Sequence, residues 1–188
     1  MEVDPAALSI VQYPHPVLKE TAQPVAEIDE TVRAVAARMI DLMHEAQGIG
    51  LAANQVGLPW RMFVADVPVM DEDETPTEPD LPTATAEPMV FINPTLSEPS
   101  RDLVPYDEGC LSLPGINGEV RRPSTITITA TGLDGKEFSM RATDLLARCW
   151  QHEFDHLDGV LIIDRFTHRA RLRNRAAIKS MEQGARTL

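Results

Sequence analysis

The sequence predicts an α+β fold: small antiparallel or mixed sheets packed around a central helix, with one helix before it and one at the C-terminus. Three observations carry this. Strand-like segments at 61–67, 89–93, 119–122, 124–131 and 137–140 form a run that does not alternate with helices. A helical period over 29–46 precedes that run. The segment Gln151-His152-Glu153-Phe154-Asp155-His156, on a second apolar helix, follows it. At 188 residues the default is one domain covering 1–188.

The elements follow in order. Pro14, Pro16 and Pro24 make residues 8–27 an extended arm with turns. Asp29 can cap the first helix, and Val32, Val35, Met39, Leu42 and Ala46 give it an apolar face. His44 and Glu45 at its end read as exposed last-turn residues. The helix runs into Gly48-Ile49-Gly50-Leu51-Ala52-Ala53-Asn54-Gln55, where glycines allow backbone to approach a ligand. Gln55 is a neutral amide in an apolar segment and needs a specific partner. Without a preceding strand or a Gly-Lys-Ser/Thr, the stretch does not read as a phosphate loop.

Residues 68–88 hold five prolines, seven acids and no basic residue, the composition of a solvated loop or insertion. Gly132-Leu133-Asp134-Gly135 reads as the turn between two of the later strands. The central helix has an apolar approach in Leu145, Leu146, Cys149 and Trp150, with Thr143 or Asp144 as its cap. From Asp164 the pattern predicts a terminal helix reaching about Gln183.

His152 and His156 stand four apart, so on a helix their imidazoles share a face about 6 Å apart along the axis. Two such rings can hold one metal ion, with Glu153 able to reach a water on it as general base. A catalytic ion of this kind takes three protein ligands. The third-histidine pattern fails, because Ile162 stands at its last position. Glu182 lies near the terminus, and Cys149 is seven residues from His156, about 10 Å along the axis. Cys110, in Glu108-Gly109-Cys110-Leu111-Ser112, is the strong remaining candidate. As a free cysteine it also reads as a small buried hydrophobe.

Composition narrows the class further. The chain carries 43% hydrophobic and 24% charged residues, as soluble globular proteins do, and no apolar run of membrane-spanning length. Met1-Glu2-Val3-Asp4-Pro5 is acidic and lacks the pattern of a secretory signal, so a cytoplasmic, reducing location is expected. The net charge is −12, but residues 165–188 alone carry +6 on an otherwise acidic chain. That asymmetry suits a polyanionic partner.

Taken together, Gly48–Gln55, Glu108–Ser112 and Gln151–Gly159 resemble the three signature motifs of the peptide deformylase family, in the family's order. The arm Tyr13-Pro14…Leu18 fits as well, and the helical C-terminus resembles the bacterial form. The resemblance covers most of the chain apart from 68–88. It implies that Cys110, His152 and His156 bind one divalent ion, Fe2+ by family habit, with Zn2+, Ni2+ or Co2+ as substitutes. It implies that Glu153 transfers the proton, and that the Gln55 amide and the Leu111 backbone N–H meet the oxyanion. The substrate would be an N-formyl-methionyl nascent peptide pairing along Ile49 and Gly50, with its methionine near Gly50, Leu145 and Cys149. Arg148 stands where many relatives carry an aliphatic residue, which leaves the pocket rim and the preference for the second or third substrate residue open. Glu108 and Arg122 are expected to pair behind the Cys110 loop. The basic C-terminal helix is expected to dock on ribosomal RNA, with Arg165, Arg169, Arg173 and Lys179 outward, Phe166 and Ile178 inward, and 68–88 projecting away. A metallopeptidase on the same helix and a non-catalytic metal module are the other classes the sequence admits.

Overall fold

The computed structural model describes residues 3–69 and 75–184. Five of its strands, β1 (Gly50–Ala52), β2 (Met62–Ala65), β3 (Met89–Ser97), β6 (Thr125–Thr131) and β7 (Glu137–Thr143), form one sheet in the order β1-β2-β3-β6-β7. The other two, β4 (Leu103–Gly109) and β5 (Asn117–Pro123), form a separate pair. Every strand pairing within the two sheets is antiparallel.

The four residues of β2 are all buried because the large sheet has a helix against each face. Phe63 and Ala65 point into one apolar cluster with Phe91, Ile128, Leu146 and Trp150. Met62 and Val64 point into another with Val35, Met39 and Met43 of helix α1 (Glu30–Glu45). Alternation sends successive strand residues to opposite faces, so a continuous apolar run signals cover on both. Phe91 anchors the first cluster, stacked on Phe63 at 4.6 Å between centroids and tilted on Trp150 at 5.7 Å. Trp150 belongs to helix α2 (Asp144–Leu157), which carries both motif histidines.

Asp29 caps α1 as expected, its Oδ1 accepting from Val32 N at 2.9 Å. Thr143 occupies the cap position of α2 as expected, but its hydroxyl makes no capping bond and donates instead to Ser124 O at 3.4 Å and to Asp144 Oδ2 at 3.3 Å, while the Asp144 carboxylate also accepts from Thr77 N (2.9 Å) and from the Thr77 hydroxyl. The acidic segment is thus tied down where it is described. Residues 75–88 contain no strand or helix, yet Pro82 O accepts from Thr143 N and Thr85 Oγ1 accepts from Val67 N. Residues 70–74 of that segment lie outside the described residues.

The C-terminal expectation needs correction. Instead of one helix from Asp164, the chain forms a short α3 (Ile162–Arg165), turns at Phe166 and Thr167, then starts α4 (His168–Gly184). The cause is competition for backbone partners. Phe166 bridges Val120, and Thr167 N donates to Glu119 O at 3.0 Å, so these two residues bond to β5 rather than continue a helix. Phe166, Ala170 and the half-buried Ile178 and Met181 then pack with Val17, Leu18, Leu113 and Leu161 in a third cluster. A Cβ at Gly118 would come within 2.9 Å of the Ala170 Cβ, which is how α4 lies so close to β5.

Candidate active site

Three chain segments meet to build the site: α2, buried by its Trp150 face, the loop that leaves β4 at Gly109, and the stretch around β1 that runs on to Gln55. The helix fixes His152 and His156 with ring centroids 5.0 Å apart. The loop brings Cys110 Sγ to 3.3 Å from His156 Nε2. One donor atom from each of the three lies within 4.8 Å of the others. In a tetrahedral site with bonds of about 2.0–2.3 Å, two donors stand about 3.3–3.6 Å apart. The donor set therefore fits an ion without rearrangement of the fold. Nitrogen and sulfur donors of this kind suit a transition metal.

Glu153 Oε2, at the cavity beside these donors, is buried without a hydrogen-bond partner, as are His156 Nδ1, whose ring turns Nε2 to Cys110, and, elsewhere among the described residues, Asn54 Oδ1 and Trp150 Nε1. Burial drives the His156 imidazole well below its ordinary pKa, which keeps it neutral and able to donate its lone pair. Burial also pulls His152 downward, but its contacts with Cys110 and Glu108 win and favour positive charge there. A cation satisfies that preference as well as a proton does.

The residues behind His152 form a chain of paired charges. Arg122 donates twice to Glu108, from Nε to Oε1 at 2.6 Å and from Nη2 to Oε2 at 2.9 Å. This is the expected pair, and its bidentate geometry fixes the carboxylate. His152 Nδ1 lies 3.1 Å from Glu108 Oε2, so the same carboxylate orients the ring and leaves Nε2 as the nitrogen that could hold an ion. Burial raises the Glu108 pKa, but the bonds from His152 and Arg122 outweigh it and hold the carboxyl well below the usual range. Arg122 also donates to Asp155 Oδ2 at 2.8 Å, and Arg165 Nη2 donates to Asp155 Oδ1 at 2.7 Å. The sequence reading gives Asp155 no role, and its one signal is being an acid on the mostly buried helix.

A cavity of about 400 Å3 opens beside these groups. Ile49, Gly50, Gln55, Cys110, Leu111, Leu145, Arg148, Cys149, His152 and Glu153 all line it, so the sequence-predicted residues converge; His156 completes the donor set without being among the lining residues. Glu153 presses against β1: a Cβ at Gly50 would fall 2.5 Å from Glu153 Oε1, so glycine lets this carboxyl and the strand sit together. Burial pushes the Glu153 carboxyl up to about 7, against the opposing pull of His152 and Arg122. Gln55 is 1% exposed. Its Oε1 accepts from Ala52 N at 2.8 Å, and its Nε2 lies 3.5 Å from Cys110 Sγ and 3.3 Å from Ser112 Oγ. The partner that its burial called for is therefore the Cys110 loop. His44 stays away from the site, an exposed residue 2.7 Å from Asp66 Oδ2.

Arg148 lines the cavity, yet its guanidinium is buried, donating from Nη1 to Glu108 Oε1 at 2.8 Å and from Nη2 to Val104 O at 2.7 Å. Tyr106, which also lines the cavity, was missed with the whole of β4.

The comparisons with known proteins agree with this geometry. The model of the polypeptide deformylase family matches residues 7–172. The chain belongs to the polypeptide deformylase family. A peptide deformylase of Novosphingobium aromaticivorans is 42% identical over 186 residues, covering 95% of this chain and 97% of the relative. One of Agrobacterium fabrum is 41% identical, covering 94% and 95%. Among solved structures, a plant peptide deformylase superposes with a TM-score of 0.85 at 35% identity, covering 98% of this chain and 94% of that one. The Ehrlichia chaffeensis enzyme gives 0.84 at 34%, covering 96% and 97%. Membership makes the chain a hydrolase that removes the N-formyl group from nascent peptides, and the family implies a divalent metal. Among the described residues, no helix is long and apolar enough to cross a membrane.

Proposed function

We propose that this deformylase acts on N-formyl-methionyl nascent chains, with Cys110, His152 and His156 holding a ferrous ion. One observation carries the assignment: three donors converge at the cavity, beside a buried carboxyl with an unpartnered oxygen. One thiolate and two imidazoles suit Fe(II) or Zn(II), with Ni(II) and Co(II) as substitutes. When bound, the ion supplies Lewis-acid polarisation and acidifies water to a pKa near about 7 in the best zinc precedents. Glu153 takes the proton from the attacking water and delivers it to the departing amine. Gln55 Nε2 and the Leu111 N–H receive charge developing on the formyl oxygen, and losing one such donor costs about a hundred- to a thousandfold in rate. Ile49 and Gly50 offer backbone to the peptide, while Leu145, Arg148 and Cys149 border its methionine. The free thiols of Cys110 and Cys149 suit a reducing bacterial cytoplasm.

Two assays separate deformylation from peptidase action. The iron-loaded protein is expected to release formate from formyl-Met-Ala and to leave internal bonds of an unformylated peptide uncut. Cleavage of internal bonds without formate release would replace this reading with the metallopeptidase one.

The basic C-terminal helix supports a second contact, with ribosomal RNA. Arg169, Arg175 and Lys179 are exposed on α4. Arg165 and Arg173 are partly engaged, Arg165 with Asp155 and Arg173 with Asn117 O at 2.9 Å. Removing everything after Thr167 would strip Ala170 and Asn174 from β5 and break the Tyr13 hydroxyl bond to Glu182 Oε1 at 2.7 Å, so truncation confounds docking with folding. Replacing Arg169, Arg175 and Lys179 together with Glu avoids this. Ribosome co-sedimentation at low salt should fall at least about tenfold, because phosphate contacts are electrostatic. Formyl-Met-Ala turnover should stay within about twofold, the range expected of surface changes remote from the chemistry. Unchanged co-sedimentation would mean that the tail only offsets the acidic body.

A further inference from the structure

Arg148 and His152 stand four apart on α2, and both reach the Glu108 carboxylate. Oε1 accepts from Arg148 Nη1 at 2.8 Å and from Arg122 Nε at 2.6 Å. Oε2 meets Arg122 Nη2 at 2.9 Å and His152 Nδ1 at 3.1 Å. A carboxylate offers about four lone-pair sites, so these contacts fill it. It can neither rotate nor tilt without losing a charge-assisted bond. That immobility bears on two of the three converging donors at once. Glu108 orients the His152 ring through Nδ1, and it stands two residues before Cys110 on the same chain.

Charge balance does not account for Arg148. The buried carboxylates behind the site, Glu108 and Asp155, already have Arg122 and Arg165 as partners. Arg148 adds a third cation at 8% exposure. Taking a charge out of water is costly unless its geometry returns the cost. Here the geometry is specific. Besides Glu108, the guanidinium donates from Nη1 to Val120 O at 3.3 Å and from Nη2 to Val104 O at 2.7 Å, which ties α2 to both strands of the small sheet. The Tyr106 ring lies over it, with its centroid 5.2 Å from the guanidinium carbon. A planar fork holds such a set together, whereas the point charge of a lysine cannot span it. An aliphatic side chain at 148 would leave Oε1 with Arg122 alone.

We propose that Arg148 is a positioning residue of the metal site: it locks the Glu108 carboxylate, and through it the His152 ring and the start of the Cys110 loop. This rests on the reading of Cys110, His152 and His156 as the metal donors. Donors held by a rigid surround release an ion slowly, because none of them swings away at little cost.

The test follows loss of Co2+ from the cobalt-loaded protein into excess EDTA, read from the visible absorption of the bound ion. A rate constant depends neither on how much of the protein folds nor on how much metal it carries. Arg148→Leu should release cobalt about tenfold faster than wild type, the lower end of what loss of a ligand's supporting contact costs. Arg148→Lys keeps the charge and one donor for Glu108, and should fall between, at about threefold. Val35→Ala, in the cluster on the far face of the large sheet, should lower the melting temperature yet leave the release rate unchanged. A purely electrostatic role predicts the opposite sign, since taking away one cation slows the loss of its neighbour. Release from Arg148→Leu that is slower than wild type, within about twofold of it, or matched by Val35→Ala would overturn the proposal, given the larger cost a supporting contact carries. Wild-type protein that takes up no cobalt would overturn the metal reading itself, whereas cobalt held equally by wild type and Arg148→Leu would remove only the role of Arg148.

Discussion

Glu153→Gln is expected to keep one metal ion per chain and to lose turnover of formyl-Met-Ala by about a hundred- to ten-thousandfold, the usual weight of a general acid–base group. The substitution keeps the shape of the side chain, which matters because Glu153 sits against Gly50 with no room to spare. It changes only the capacity to accept and return a proton. Burial has already set that capacity, raising the carboxyl to about 7, near the value at which one group can serve as base and then as acid. The unpartnered Oε2 is the atom available for the exchange. Formate release and metal content should be measured on one sample. Near wild-type turnover would show that Glu153 is not the base.

The second large effect separates the two cysteines. Cys110→Ala should weaken metal affinity by more than the ten- to hundredfold that loss of a supporting residue costs. Cys149→Ala should leave metal content intact. The reason lies in thiol chemistry, since only the thiolate is a ligand. Cys149 is 4% exposed, its Sγ donates to Ile49 O at 3.4 Å, and burial pushes its pKa well up, so it stays protonated. Cys110 instead lies 3.3 Å from His156 Nε2 and within reach of the Gln55 amide. Metal analysis of both variants after identical loading decides the matter, and the reverse pattern would overturn the ligand set. With iron bound through a thiolate, wild-type activity should also decay in air.

Much of this arrangement was legible because periodicity reports burial. Helix α1 carried both a cap residue and an apolar stripe, and the structure places its boundaries within a residue of the reading at each end. The run at 61–67 read as a strand because both of its faces are covered. What could not be read were elements whose side chains do not follow a simple in–out rule. Strand β4 exposes Leu103, Val104 and Tyr106 and buries Glu108, the inverse of the usual pattern, and Pro105 weakens its strand signal further. Strand β1 is three residues of small or apolar type, all buried, and has no alternation to detect. The break between α3 and α4 carries no glycine or proline, because β5 causes it from outside. The same limit hid Tyr106 and the role of Asp155, whose partners Arg122 and Arg165 lie on other elements.

The line Arg165–Asp155–Arg122–Glu108–His152 alternates in charge from the protein surface to the proposed metal donors. It constrains how the gene can drift. Removing one buried member strands its neighbour's charge, at about 3–5 kcal/mol. That is a large share of a total stability of about 5–15 kcal/mol. Replacing both members of a buried pair with apolar residues of similar volume is often neutral or stabilising. Single-step paths through this part of the sequence are therefore nearly closed, and Arg122, Asp155 and Glu108 should change together in descendants or not at all.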